Sequence, residues 1–528
     1  MIALAPDLAY LGLALGGGFV AVRLGMPVFV GYLVAGLALG LGGFQPSELL
    51  AQAGEIGVLM LLFGVGLHLS PRNLFSRPVV ISSSVHLVVS SALFVLLAWV
   101  MGQPPGQALL WGVLLSFSST VLAAKSLESG GELGTFHGRV AISILIVQDI
   151  VAVAVMVAVA QATPSPWALL AVPGVFALRW PLLRLIAAID SEELLLLVAA
   201  LMALSVAALF GRLGLSTELG AIAAGVLVAA HPHGETLAGR LWSIKELLLV
   251  GFFLSIGMQV SPSLADWATA GVFVAVLPLK TVLFFALLVG LGLRARTAFL
   301  AGVSLTSYSE FTLIAASLAH AHGMLTLAGL GVLTLATVVS FGLHLPVNRV
   351  SHSLYDRFHR TLERFERDIA HPDEAARTIG AARYLVLGMG RTGSPAYDWL
   401  HRNGQQVAGL DTDPETLARN LAANRRVTYG DAQDRALWHA LRLDAVSAVV
   451  IALPQEDVRL RVTRLLRDRA PHIVISTFAM HDHEAKALRN AGADHVSYLL
   501  ADAGERLAEL SLEPVLAADG NEPVAGDV

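Results

Sequence analysis

The sequence has no cysteine, which excludes disulfides, thiolate metal centres and any thiol redox sensor within the chain. Charge is scarce too: Asp, Glu, Lys and Arg make up 14% of the 528 residues, against 55% hydrophobic residues. That balance is too apolar for an ordinary soluble protein, and the length is too great for one domain. The expectation is a membrane protein of more than one part. The formal net charge of −5 is small for this length and argues against a nucleic-acid partner. The N-terminus lacks a basic n-region, so the first apolar run reads as a retained helix and not as a cleaved signal peptide.

The scarcity of charge is uneven. Residues 1–348 read as a transmembrane domain, 349–382 as a linker, 383–512 as a soluble α/β domain and 513–528 as a disordered tail. Apolar runs in the first part predict about thirteen membrane spans. They fall near residues 7–23, 28–42, 53–69, 79–101, 106–124, 138–161, 167–187, 193–211, 217–230, 246–260, 268–293, 297–319 and 325–346. With the N-terminus outside, Arg23, Arg72, Arg77, Lys125, Arg139, Arg184, Arg240, Lys245, Arg294 and Arg296 fall in or beside inner loops, and only Arg212 falls outside. The positive-inside rule therefore places the soluble part in the cytoplasm.

The run from His137 to Met156 crosses the bilayer with Gln148 and Asp149 near its middle. An acid at that depth costs roughly 2.5 to 3.5 kcal/mol on insertion scales, so a polar cavity, a cation or a proton must offset it. Two other spans carry polar clusters at corresponding places in the two halves: Ser116, Ser118, Ser119 and Thr120, then Ser304, Thr306, Ser307, Ser309 and Glu310. Paired broken helices point to a transporter built from inverted repeats, because unwound backbone is tolerated only where it lines a cavity or is buried in protein. The alternative is continuous helices whose Ser and Thr bond back to i−4 carbonyls. Lys280 is a second mid-span charge. It either pairs with Asp149, stabilises a crossing of broken helices, or snorkels to an interface. Glu55 and Glu218 lie near span starts, and His86 reads as a satisfied helix histidine.

In the linker, Leu354, Phe358, Leu362, Phe365 and Ile369 recur at helical spacing. This amphipathic helix docks on a partner or the following domain, or lies on the membrane surface. From Tyr384 a buried strand runs into Gly388, Gly390, Arg391 and Gly393, followed by Pro395 in the first turn of a helix. This is G-x-G-x-x-G in strand-turn-helix context, with Asp411 about 20 residues on at the end of a second strand. The glycines let backbone N–H groups approach a phosphate, and Asp411 accepts from ribose hydroxyls. An acid there favours AMP, ADP, ATP or NAD(H) over NADP. Asp431 either lines the same crevice or caps a helix. Further strand-like runs at 426–429, 448–453, 472–476 and 495–497 alternate with helices, which predicts a parallel doubly wound sheet. Nothing resembling a catalytic domain follows, so the nucleotide reads as a regulator or structural ligand and the chain as no enzyme.

Several stretches resemble the Kef-type glutathione-gated potassium/proton antiporters of the monovalent cation:proton antiporter-2 family. They are AVRLGMPVFVGYLVAGLALG, EIGVLMLLFGVGLHLSP, LSFSSTVLAAK, the Gln148-Asp149 pair, ELGAIAAGVLVAA, GFFLSIGMQVSPS and the later YSEF. The soluble part resembles a KTN (RCK) nucleotide-binding domain through GMGRTG, Asp411 and the Gly430-Asp431-Ala432 step. The resemblance implies a homodimer in a bacterial inner membrane with an elevator-like moving core. It implies that Asp149 carries a monovalent cation, K+, and a proton in alternation. Gln148, Ser118, Ser119 and Thr120 would shape that site, Lys280 would be the basic residue of the facing helix, and Glu310 would belong to the same cluster. It also implies glutathione as a possible regulator. The expected fold is thus a polytopic α-helical membrane protein with broken crossing helices plus a cytosolic Rossmann-like domain. The expected activity is K+ efflux coupled to H+ uptake. Alternatives are a Na+/H+ antiporter of the same fold, a nucleotide-gated potassium channel, for which no T-V-G-Y-G filter is present, or a membrane-tethered oxidoreductase.

Overall fold

Two of the helices are interrupted where the polar clusters fall. In the computed structural model, which describes residues 5–68, 77–160, 165, 184, 189, 191–229, 234–366, 379–380, 382–441 and 443–518, α5 (Pro105–Ser116) stops and α6 (Thr120–Ser129) begins only after Phe117 turns extended. Likewise α13 (Ala295–Ser304) stops short of α14 (Glu310–Ala321), whose start is capped by the Ser309 hydroxyl accepting from the Phe311 N–H. The helices are broken, and the alternative of continuous helices is set aside.

The remaining helices before the soluble domain are α1 (Ala5–Arg23), α2 (Val28–Leu41), α3 (Glu48–His68), α4 (Arg77–Val100), α7 (Phe136–Val159), α8 (Glu192–Arg212), α9 (Thr217–Ala229), α10 (Gly234–Gln259), α11 (Leu264–Ala275), α12 (Leu277–Gly290) and α15 (Leu327–Leu362). Among the described residues seven helical stretches are long and apolar enough to cross a membrane, and two shorter apolar helices, α2 and α9, accompany them. Within the expected run 297–319 the helix is broken, divided between α13 and α14. The expected span at 167–187 lies outside the described residues, as do Arg72 and Ile369.

The chain forms two compact units, the first from residues 1–126 and 140–370, the second from 127–139 and 371–528. In the first, α10 packs on α2 and α3, α3 on α9, α4 on α5, and α11 on α15. Small residues set the closest of these approaches. A Cβ on Gly66 would strike the Ile222 carbonyl and one on Gly225 the Phe63 carbonyl, so α3 and α9 meet backbone to backbone. The amphipathic stretch after residue 350 is the end of α15 itself, followed by a short 3₁₀ turn at Glu363–Phe365. It docks on its own unit: the Phe365 ring meets Phe285 edge-on, and Glu366 accepts the Ala295 N–H at 2.6 Å.

The second unit is organised on a parallel sheet, ordered β3-β2-β1-β4-β5-β6. Its strands are β1 (Tyr384–Leu387), β2 (Val407–Asp411), β3 (Val427–Tyr429), β4 (Ala448–Ile451), β5 (Val474–Ala479) and β6 (His495–Tyr498). The helices between them are α16 (Gly393–Arg402), α17 (Pro414–Ala422), α18 (Arg435–Ala440), α19 (Glu456–Arg469) and α20 (Asp482–Asn490), and α21 (Leu499–Ala518) follows. Leu385, Leu387, Val449, Ile451 and Ile475 are wholly buried, as a sheet covered on both faces requires. The strand order reverses between β1 and β4, which opens a crevice beyond their carboxyl ends. A loss of order from 513 meets instead a helix that continues to Ala518.

Candidate functional site

Asp149 lies midway along α7 and is 7% exposed. The unwound link between α5 and α6 faces it. The Thr120 hydroxyl lies 3.1 Å from each Asp149 carboxylate oxygen, and the Ser118 N–H donates to Gln148 Oε1 at 2.9 Å. Glu310, at the start of α14, accepts from the Ser119 hydroxyl at 2.7 Å, and the Ser119 N–H reaches Ser307 Oγ at 3.4 Å. All seven residues expected at an ion site are thus brought to one crossing except that Lys280 faces the backbone and not the acid. Two buried polar atoms here have no hydrogen-bond partner, Ser118 Oγ and Gln148 Nε2. Buried polar groups are normally satisfied, so these two atoms stand out beside Asp149.

Lys280, 1% exposed on α12, donates to the carbonyls of Leu115, Phe117 and Ser307 at 3.4, 2.9 and 3.2 Å. An ammonium has three donors, and three carbonyls from the two broken segments take them. Its donors thus face the crossing of the broken helices and neither Asp149 nor an interface. The Thr312 hydroxyl to the Leu114 carbonyl at 2.7 Å and the Thr281–Thr306 hydroxyl pair tie the same crossing. His86 is buried against the Phe284 ring with neither ring nitrogen bonded, so it is not the satisfied histidine expected. Glu55 is exposed and Glu218 half-buried, outside this cluster.

In the second unit, a cavity of about 560 Å³ opens at the strand-order reversal and includes Gly388, Gly390, Arg391, Asp411 and Asp431 in its lining. Gly388 has φ +87 and Gly390 has open space where a Cβ would stand, whereas a Cβ on Gly393 would strike the Gly388 carbonyl. This is a cradle that only glycine leaves clear for a phosphate at the start of α16. Asp411 accepts the Met389 and Asp413 N–H groups at 2.6 and 2.9 Å. Burial pushes its carboxyl above the usual range, against those backbone donors. Asp431 lines the cavity, and its carboxylate accepts the Gln433 N–H at 2.9 Å within the turn before α18, which starts at Arg435, so it is not the cap of that helix. These residues fit a nucleotide.

The sequence reading missed part of this lining: Glu128 at the end of α6, Gly131, Gly134 and Thr135 from the α6–α7 connection, and Gln455 at the head of α19. The signal available was the glycine-rich run SGGELGTFHG, which reads by itself as an ordinary turn.

A helical core with two broken helices crossing at a buried acid, joined to a Rossmann-like nucleotide domain, defines a secondary transporter with a regulatory domain. Residues 10–348 match the family described as sodium/hydrogen exchanger, transmembrane, and residues 384–499 match the TrkA-N domain. The chain belongs to the sodium/hydrogen exchanger transmembrane family. It is similar to the glutathione-regulated potassium-efflux system protein KefC of Salmonella schwarzengrund (strain CVM19633), 28% identical over 515 residues, covering 92% of this chain and 81% of the relative. Two solved structures are similar to the soluble domain. The TrkA-N domain of inner membrane protein ybaL from Escherichia coli is 20% identical, covers 24% of this chain and 95% of its own, and has a TM-score of 0.23. The NAD(P)-binding domain of an exopolyphosphatase-related protein from Archaeoglobus fulgidus is 21% identical, covers 25% and 98%, and has a TM-score of 0.24.

Proposed function

We propose that this chain is a potassium/proton antiporter, coupling K+ efflux to H+ uptake under the control of its nucleotide-binding domain, and that it is not an enzyme. The observation that carries the reading is the buried Asp149 carboxylate beside the Thr120 hydroxyl and the unpartnered Ser118 Oγ. A carboxylate that binds either a partly dehydrated cation or a proton, never both, couples the two flows with no further device. Thr120 and Ser118 supply hydroxyl oxygens to a cation at Asp149, and Glu310 is a second acid in the same cluster. One-for-one exchange is electroneutral, so membrane voltage should not drive it. The names of the KefC relatives support K+ over Na+. The reading includes a homodimer whose core moves as an elevator, as the resemblance implies. It also includes an N-out, C-in topology in a bacterial inner membrane, supported by the basic inner loops.

The test is dissipation of a pH gradient in proteoliposomes on adding K+ or Na+. K+ should collapse the gradient. A response to Na+ alone would make the chain a Na+/H+ antiporter, and no response to either ion would overturn the reading. The same assay with glutathione tests whether the regulation in the relatives' names applies here.

The nucleotide would be held by Gly388, Gly390, Arg391 and Gly393 at its phosphate and by Asp411 at its ribose. Its role is that of a bound regulator. Among the described residues Arg391 is the one basic side chain in the cavity lining, against Glu128, Asp411, Asp413 and Asp431, which suits AMP or NAD(H) better than the charge of ATP. Replacing Asp411 with alanine is expected to weaken AMP binding by roughly 10- to 100-fold, the worth of hydrogen bonds to an ionised group. Titration calorimetry on the full chain measures this; unchanged affinity would place the ribose elsewhere. A protonated acid no longer offers the same acceptor. With the Asp411 carboxyl pushed up by burial, binding should weaken on acidification at a higher pH than an exposed aspartate would dictate.

A further inference from the structure

The connection between α6 and α7 belongs to the same compact unit as the nucleotide domain, and it is held there by specific bonds. The Phe136 N–H donates to the Tyr429 hydroxyl at 2.8 Å. Arg139 donates to the Thr412 carbonyl at 3.2 Å, directly after Asp411, and its guanidinium lies 5.4 Å from the Tyr429 ring centroid. Gly131, with φ +67, approaches Gln455 so closely that a Cβ there would lie 2.5 Å from the Gln455 side-chain oxygen. A Cβ on Gly134 would lie 3.3 Å from the Asp413 Cα, closer than ordinary contact.

The connection also holds its own shape. Glu132 and His137 pair at 3.1 Å, the Thr135 hydroxyl donates to the Glu132 carbonyl at 2.6 Å, and Arg139 donates to the Gly134 carbonyl at 2.7 Å.

We propose that residues 127–139 form a wall of the nucleotide site, so that a bound adenine nucleotide is held between the glycine cradle with Asp411 on one side and Gly131 to Thr135 on the other. The proposal rests on the reading of this crevice as a nucleotide site. It goes further by making a stretch outside the nucleotide-binding domain part of the binding surface. The consequence follows from chain continuity. Phe136 opens α7, and Asp149 lies about three turns further along that helix from Arg139. A ligand that favours one seating of this wall thereby biases the helix that carries the titrating acid, in proportion to its difference in affinity for the seatings.

The experiment is hydrogen exchange on the full chain in detergent, with and without saturating AMP, alongside AMP titration of the wild type, Asp411→Ala and Arg139→Gln. AMP should slow amide exchange across 127–139 by about fivefold or more, as ordering of a locally opening segment does, and Asp411→Ala should remove the effect. Arg139→Gln loses the bonds to Thr412 and Gly134 and should weaken AMP binding by up to about tenfold. It should also bring the ratio of exchange rates with and without AMP in proteoliposomes toward one. AMP binding that depends on Asp411 yet leaves 127–139 unprotected would overturn the wall while keeping the nucleotide site. An Arg139→Gln protein with wild-type affinity and wild-type AMP response would overturn the coupling. Failure of both AMP and NADH to bind would remove the nucleotide reading and this proposal with it.

Discussion

Asp149→Asn is expected to reduce cation-dependent proton exchange to the rate of protein-free vesicles. Asparagine nearly matches the shape of aspartate, and its amide can still meet Thr120, but it neither carries a proton in exchange nor balances a cation. The neighbouring groups do not replace it. Gln148 and Thr120 do not titrate, and Glu310 already accepts from Ser119 in a different corner of the cluster. Gradient dissipation in proteoliposomes measures the loss, with size-exclusion and melting profiles to confirm the fold. Wild-type activity in a well-folded Asp149→Asn protein would remove Asp149 from the transport cycle and leave Glu310 as the buried acid to examine.

The second large effect concerns architecture. Lys280→Met keeps the length and apolar stem of the side chain but leaves the carbonyls of Leu115, Phe117 and Ser307 without their shared donor. Each orphaned buried acceptor costs about 1–3 kcal/mol, and relief from burying an ammonium offsets part of the sum. The net expectation is a loss of a few kcal/mol, large beside ordinary single substitutions. Thermal melting in detergent should show a clear fall, together with loss of exchange as the two broken segments separate. If Lys280 acted chiefly as a charge partner of Asp149, the substitution would leave the melting temperature in place and shift the pH profile of exchange. These two results are readily told apart.

Much of this protein was legible without coordinates where the physics is local. Gly388, Gly390, Gly393 and Asp411 announced a nucleotide cradle because a strand, a tight turn and a helix start must follow one another in the chain. The parallel sheet that the alternation of strands and helices predicts is the one observed. Asp149 and the two polar clusters stood out because lipid penalises every unsatisfied charge and every unwound turn, and that penalty is visible residue by residue. The exact ends of the breaks within spans were less legible. A helix that stops at Ser116 and resumes at Thr120 has the same hydropathy as one that does not.

The buried acid with its polar neighbours, the division into a membrane part and a nucleotide part, and the parallel sheet were therefore determined by sequence alone, because burial cost and periodicity act over a few neighbouring residues. The partner of Lys280, the isolation of the His86 ring and the seating of residues 127–139 against Thr412, Tyr429 and Gln455 were decided only by the tertiary structure. Each depends on which distant backbone atoms a side chain can reach, and the donor count of an ammonium or the missing Cβ of a glycine takes on meaning only once those atoms are in place.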